Sequence, residues 1–226
     1  MTRLKILMIT LFAGIFFACN QSSNTTDSEK PKSGESRNAV KTPKKNILFF
    51  GNSLTAGYGL DDPANAFPGL IQHTVDSLNL PYNCVNAGLS GETTAGGNSR
   101  IDWLLKQPVD VFVLELGAND GLRGLDVQDT YKNLQSIISK VKSKYPSCKI
   151  VLTGMMVPPN MGENYASDFA AVYPRLAKEN NIALVPFLLQ DVAGVRKLNQ
   201  GDGIHPTEEG QKIVTENVWK VLKDQL

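Results

Sequence analysis

The sequence predicts an α/β fold: a three-layer α/β/α arrangement around a doubly wound, five-stranded parallel sheet in the flavodoxin-like order 2-1-3-4-5. Three observations lead to it. From Asn46 onward, short apolar runs alternate with helical patterns five times, as strands joined by helical crossovers do. The run DVFVLEL (110–116) reads as apolar on both faces, which a strand covered by helices on each side requires. The chain has 226 residues, 42% of them hydrophobic, enough for one domain with a sizeable core. Right-handed crossovers then favour the stated strand order.

Taken in order, the first eighteen residues are a different material from the rest. Arg3 and Lys5 precede an apolar stretch from Ile6 to Ala18, and Cys19 follows at once. A basic start, a short apolar centre and a small residue before the break spell an export signal, too short for a comfortable membrane span. Cysteine directly after Phe17 and Ala18 points to a lipoprotein, cleaved before Cys19 and acylated on its thiol, although Phe16 stands where leucine is more usual. Residues 19–45 read as a flexible polar tether. The stretch NQSSNTTDSEKPKSGESRNAVKTPKK (20–45) has few apolar residues and no aromatic ones, so burial cannot offset its ordering entropy. The expected organisation is a signal peptide (1–18), a tether (19–45) and one folded domain (46–226), held in the cell envelope by an N-terminal lipid anchor to the membrane.

Within the domain, NILFF (46–50) is the first strand and leads to a helix around Phe67 to Leu78. YNCVNA (82–87) is the second, followed by a glycine-rich loop and a helix near Arg100 to Lys106. After the third strand, Tyr131, Leu134, Ile137, Ile138 and Val141 recur at helical spacing over 128–144. CKIVLTGM (148–155) is the fourth strand, with a long loop and a helix around Tyr165 to Asn180 behind it. IALVPF (182–187) is the fifth. Pro206 is expected to open the last helix, with Ile213, Val214, Val218, Val221 and Leu222 as its buried stripe.

Composition excludes several functions. A net charge of +1 without a long basic run gives no case for nucleic acid. Three cysteines and two histidines cannot make a Cys-rich zinc site. Cys84 and Cys148 fall at strands two and four, which the predicted order separates, so free thiols are expected although export permits a disulfide. No G-x-x-x-x-G-K-[ST] is present, and Gly57-Tyr58-Gly59 lacks the third glycine of a dinucleotide fingerprint. No metal and no cofactor is implied.

The strand order places the carboxyl ends of the first three strands side by side, the edge where ligands bind in such sheets. After the first strand comes G51-N-S-L, after the second S90-G-E-T, after the third G117-A-N-D, and beyond the fifth D202-G-I-H-P. Serine hydrolysis needs a nucleophile, a base, a group to hold the base and donors for the oxyanion. Ser53 is the candidate nucleophile. Of the two histidines, His73 lies mid-helix in GLIQHTVDSL, whereas His205 lies in a loop three residues after Asp202. That spacing lets the Asp202 carboxylate reach Nδ1–H and leaves Nε2 for Ser53. The backbone N–H groups of Ser53 and Gly91 and the Asn119 amide are candidate oxyanion donors, and Asp120 reads as bonding local backbone. An α/β-hydrolase elbow, G-x-S-x-G, would need glycine where Thr55 stands.

These residues resemble the SGNH, or GDSL-type, hydrolase family, from about Asn46 to the C-terminus. The family's serine, glycine, asparagine and histidine match Ser53, Gly91, Asn119 and His205, and its aspartate matches Asp202. LELGANDGLRG and DGIHPTEEG look most like the thioesterase / lysophospholipase / arylesterase branch. The resemblance implies an exported hydrolase of acyl esters and thioesters, acting on a small lipid-like or aryl ester with no required protein partner. It further implies that the loop from Gly121 to Asp126 and the stretch from Val157 to Met161 border the acyl site, making Leu122, Val157, Pro158 and Met161 substrate-binding candidates. A carbohydrate O-deacetylase of the same fold is the alternative, and a non-catalytic lipid- or glycan-binding module a third, against which the intact Ser53, Asp202 and His205 argue. One departure stands out: the first block reads GNSL where the family usually has GDSL. Asn52 keeps an acceptor oxygen and loses the charge, so the supporting hydrogen bonds are expected to change.

Overall fold

A computed structural model describes residues 43–226; the signal segment, Cys19 and the tether up to residue 42 lie outside the described residues. Five parallel strands, β1 (Lys45–Gly51), β2 (Tyr82–Gly88), β3 (Val111–Glu115), β4 (Lys149–Thr153) and β5 (Ala183–Val185), form one sheet in the order β2-β1-β3-β4-β5. The sequence-predicted order and the five-stranded α/β architecture are therefore those of the molecule. Among the described residues, seven α-helices are interleaved with the strands: α1 (Ser53–Ala56), α2 (Phe67–Ser77), α3 (Thr94–Leu104), α4 (Ala118–Leu122), α5 (Val127–Lys144), α6 (Glu163–Asn180) and α7 (Glu208–Leu222).

The central strands β1, β3 and β4 are apolar because both their faces are covered. Helices α2 and α7 pack together on one side, and α3, α5 and α6 form a layer on the other. Phe49, Phe50, Phe112 and Leu114 are fully buried between these layers. The helical period of α5 points Leu134, Ile137, Ile138 and Val141 into the core, and Asp126 caps its start by accepting from the Gln128 N–H at 2.7 Å. In register, Gly51 lies beside Gly88 and also beside Glu115. The first three strands thus end level, and the loops that follow them rise from one edge.

Three boundaries differ from the sequence reading. Strand β5 spans three residues rather than six, because it is an edge strand and Pro186, with no N–H to give, ends it. Helix α3 starts at Thr94, capped by Thr93, six residues before the expected start; Gly96 and Gly97 conceal its first turn in the sequence. Pro206 does not open α7: it is extended, bridging Asn199, and the Thr207 side chain caps the helix by accepting from the Gly210 N–H. Of the expected stripe, Val214, Val218 and Leu222 are buried, while Ile213 and Val221 are half-buried. Cys84, on β2, and Cys148, just before β4, are half-buried and free, with β1 and β3 between their strands. Burial pushes each thiol up to about 12.

Candidate active site

Strand β1 runs apolar to its last residue, then the chain turns sharply into α1. The turn is tight because of what lies beneath it: a Cβ on Gly51 would overlap the Thr55 hydroxyl and the Glu115 carboxylate. Asn52 caps α1, its Oδ1 accepting from the Leu54 N–H at 3.0 Å. Ser53 is thereby held at the start of α1 with Oγ 3.4 Å from Asn52 Oδ1 and facing the cavity described below.

His205 Nε2 lies 2.9 Å from Ser53 Oγ, and Nδ1 lies 2.6 Å from Asp202 Oδ2. A carboxylate at that distance can only accept, so Nδ1 carries the ring proton and Nε2 presents its lone pair to the serine. The other Asp202 oxygen accepts from the backbone N–H groups of Ile204 at 2.9 Å and His205 at 3.0 Å. One carboxylate thus shapes the turn and fixes the ring. Burial pulls the Asp202 carboxyl upward, but the bonds from the His205 ring and from the two backbone N–H groups prevail and hold it down at about 2. The loop is closed by the Gln200 N–H donating to the His205 carbonyl at 2.7 Å, while the Gln200 amide donates to the Tyr58 carbonyl at 2.7 Å. The Tyr58 ring packs on the imidazole, 4.7 Å between centroids. Nothing in the sequence spacing singles out Tyr58, which follows Ser53 by five residues.

Asn119 sits in α4 and lines the same cavity, with Nδ2 donating to the Glu92 carbonyl at 3.0 Å. Gly91 occupies the exposed loop after β2 with φ +80°, a conformation glycine adopts without strain; its carbonyl accepts from Arg123 at 3.1 Å. Glu92 is gripped by the Arg100 guanidinium, at 2.7 Å to Oε1 and 2.5 Å to Oε2. Asp120 does not bond local backbone. Buried, it accepts from the Thr94 N–H at 2.9 Å and the Thr94 hydroxyl at 2.5 Å, tying α4 to the start of α3. The reason is orientation: α4 turns Asp120 inward, toward the neighbouring helix.

Ser53, Asn119 and His205 open into a cavity of about 700 Å³. Leu122, Val157 and Pro158 line it, as does Met155. Met161 does not: it ends the short helical turn Pro159–Met161 and its methyl lies toward Gly124. Phe187, Leu189 and Ile204 complete the apolar wall. The sequence hid Phe187 at the end of an apparent strand, 182–187, which Pro186 in fact cuts short. Trp103 and Trp219 lie in α3 and α7, away from the cavity, and His73 is an exposed residue of α2.

A neutral imidazole on a serine hydroxyl, steadied by a carboxylate and opening on an apolar cavity, can take the serine proton as the oxygen attacks a carbonyl carbon. Comparison with known proteins leads the same way. Residues 49–213 match the GDSL-like Lipase/Acylhydrolase family. Over 181 residues, 80% of this chain and 89% of the relative, the sequence is 39% identical to "Esterase TesA" of Pseudomonas aeruginosa. It is 38% identical over 178 residues, 78% of this chain and 83% of the relative, to "Thioesterase 1/protease 1/lysophospholipase L1" of Escherichia coli K12. The crystal structure of TesA superposes with a TM-score of 0.77, covering 80% of this chain and 100% of that one at 39% identity.

Proposed function

The chain belongs to the GDSL-like lipase/acylhydrolase family, and from that membership we propose how this carboxylic ester hydrolase cleaves its acyl esters. Ser53 Oγ attacks the ester carbonyl while His205 Nε2 takes its proton and Asp202 stabilises the imidazolium that forms. The tetrahedral oxyanion is met by the backbone N–H groups of Ser53 and Gly91 and by the Asn119 amide. His205 returns the proton to the leaving alcohol, an acyl-enzyme remains on Ser53, and His205 then activates the water that releases the acid. The acyl chain occupies the cavity walled by Leu122, Val157, Pro158 and Phe187.

One observation carries this reading: His205 bridges Ser53 and Asp202 at 2.9 and 2.6 Å, at the mouth of an apolar cavity. The substrates in view are lipid-like and aryl esters, with thioesters suggested by the name of the Escherichia coli relative. Hydrolysis of chromogenic esters from acetyl to palmitoyl by residues 20–226, with Ser53→Ala as the control, tests it. Activity lost in Ser53→Ala and strongest beyond acetyl is the expected result. Cleavage of acetyl alone would favour a sugar O-deacetylase, and equal traces in both proteins would refute hydrolysis at Ser53. Export and acylation at Cys19 complete the proposal. Expressed in a bacterial host, the full chain should fractionate with membranes, and Cys19→Ala should release it; equal fractionation of the two would discard the anchor.

A further inference from the structure

Glu115 ends β3 fully buried, and the hydrolytic scheme gives it no task. Burying a carboxylate is costly unless hydrogen bonds replace its water, so the partners of this one are informative. Oε2 accepts from the Asn52 backbone N–H at 3.0 Å and from the Thr55 hydroxyl at 2.8 Å, and Oε1 accepts from the Asn52 side-chain Nδ2 at 2.9 Å. Each of these partners is a donor, and they lie on the residues either side of Ser53 and Leu54. No cation is among them.

Asn52 cannot turn its amide round, because Oδ1 is occupied by the Leu54 N–H at 3.0 Å. Its NH₂ end therefore has to face Glu115. An aspartate at 52 would set a second acid oxygen against Oε1, and two carboxyl groups that close must share a proton. With Asn52 the contact is donor to acceptor, and the single carboxylate is matched on both oxygens.

We propose that Glu115 is a positioning residue for Ser53: its carboxylate grips the turn from Asn52 to Thr55, and Asn52, in place of the family's usual aspartate, supplies the amide that completes the grip. The proposal rests on the reading of Ser53 as nucleophile. What the grip fixes is the direction of the Ser53 N–H, which would meet the oxyanion, and the seat of Oγ, 3.4 Å from the same Asn52 side chain.

An exchange of amide and acid tests the pairing. In Glu115→Gln, the new NH₂ must confront a donor whichever way it points, leaving one buried group unmatched. In the double variant Asn52→Asp/Glu115→Gln, the glutamine amide faces an aspartate oxygen and its carbonyl remains for the backbone N–H and the Thr55 hydroxyl. Four quantities are read: the thermal midpoint, kcat and KM on an aryl ester, and the rate at which a fluorophosphonate labels the serine. In that labelling Oγ bonds to phosphorus, fluoride leaves and the serine proton passes to His205.

Glu115→Gln is expected to fold, to label about tenfold more slowly and to lose about tenfold in kcat with KM within about threefold, and the double variant to recover most of the loss. A folded Glu115→Gln that labels at the wild-type rate would show the grip to be structural only and overturn the proposal. So would a folded double variant no faster than the single. If Glu115→Gln fails to fold, the double variant decides alone: folded and reactive sustains the pairing, folded and slow defeats it. A wild type that does not label at all defeats the nucleophile and the grip together, which is distinguishable from a labelled wild type with unaffected variants.

Discussion

The Asn119 amide gives one hydrogen to the Glu92 carbonyl, and in the proposed mechanism its other hydrogen meets the oxyanion. Losing one oxyanion donor costs about 3 kcal/mol of transition-state stabilisation. Asn119→Ala is therefore expected to lower kcat by about a hundredfold or more while circular dichroism and thermal midpoint stay near those of the wild type. Full turnover in the folded variant would remove Asn119 from the site. At this scale the sequence was informative where residue types are scarce. With two histidines in the chain and one of them mid-helix, His205 was nearly forced, and Asp202 followed from its spacing. Side-chain direction was harder to read. Asp120 was placed by its neighbours in sequence and Met161 by the family resemblance, and the structure turns the first inward to Thr94 and leaves the second beside Gly124. Glu115 was overlooked because the apolar residues around it made the whole run read as strand.

Elements were legible in proportion to their periodicity. Helix α5, with four core residues at regular spacing, has nearly the predicted bounds, and so do β1 and β2. Misreadings gathered at ends, where capping competes with pattern: Thr93 and Thr207, rather than the glycines and the proline beside them, set where α3 and α7 begin. The junction of β1 and α1 shows what an element boundary can demand. Gly51 is required there by close approach, since any side chain would strike Glu115 and Thr55. The strand is thus stopped by a carboxylate from its neighbour, and the helix begins one residue later with the serine.

For the whole molecule, two carboxyl groups act oppositely on stability. Burial raises Glu115 from an ordinary 4.5 to about 7, against the hydrogen bonds of Thr55 and Asn52. A raised folded-state value means that the native chain holds a proton the unfolded chain has released. This contribution is fully present below pH 4.5 and is lost as pH rises through 7, on the order of 3 kcal/mol. Asp202, held at about 2 against an ordinary 3.8, contributes above 3.8 and loses its contribution as pH falls through 2. From pH 5 to 8, the thermal midpoint of the wild type should therefore fall relative to that of Glu115→Gln. A constant difference between the two across that range would contradict the assignment. The overall plan was readable because alternation, burial and handedness all point to one sheet order; the carboxyl group buried at the end of β3 was not, because periodicity records where side chains are hidden and says nothing of what they meet there.

The two domain cysteines carry a consequence for how the protein is made. Their thiols keep their protons, one on β2 and the other just before β4, with β1 and β3 between, so neither is primed to attack and the pair cannot join without breaking the sheet. The native domain therefore needs no oxidant and no isomerase to mature. The same domain would form in a reducing or an oxidising compartment.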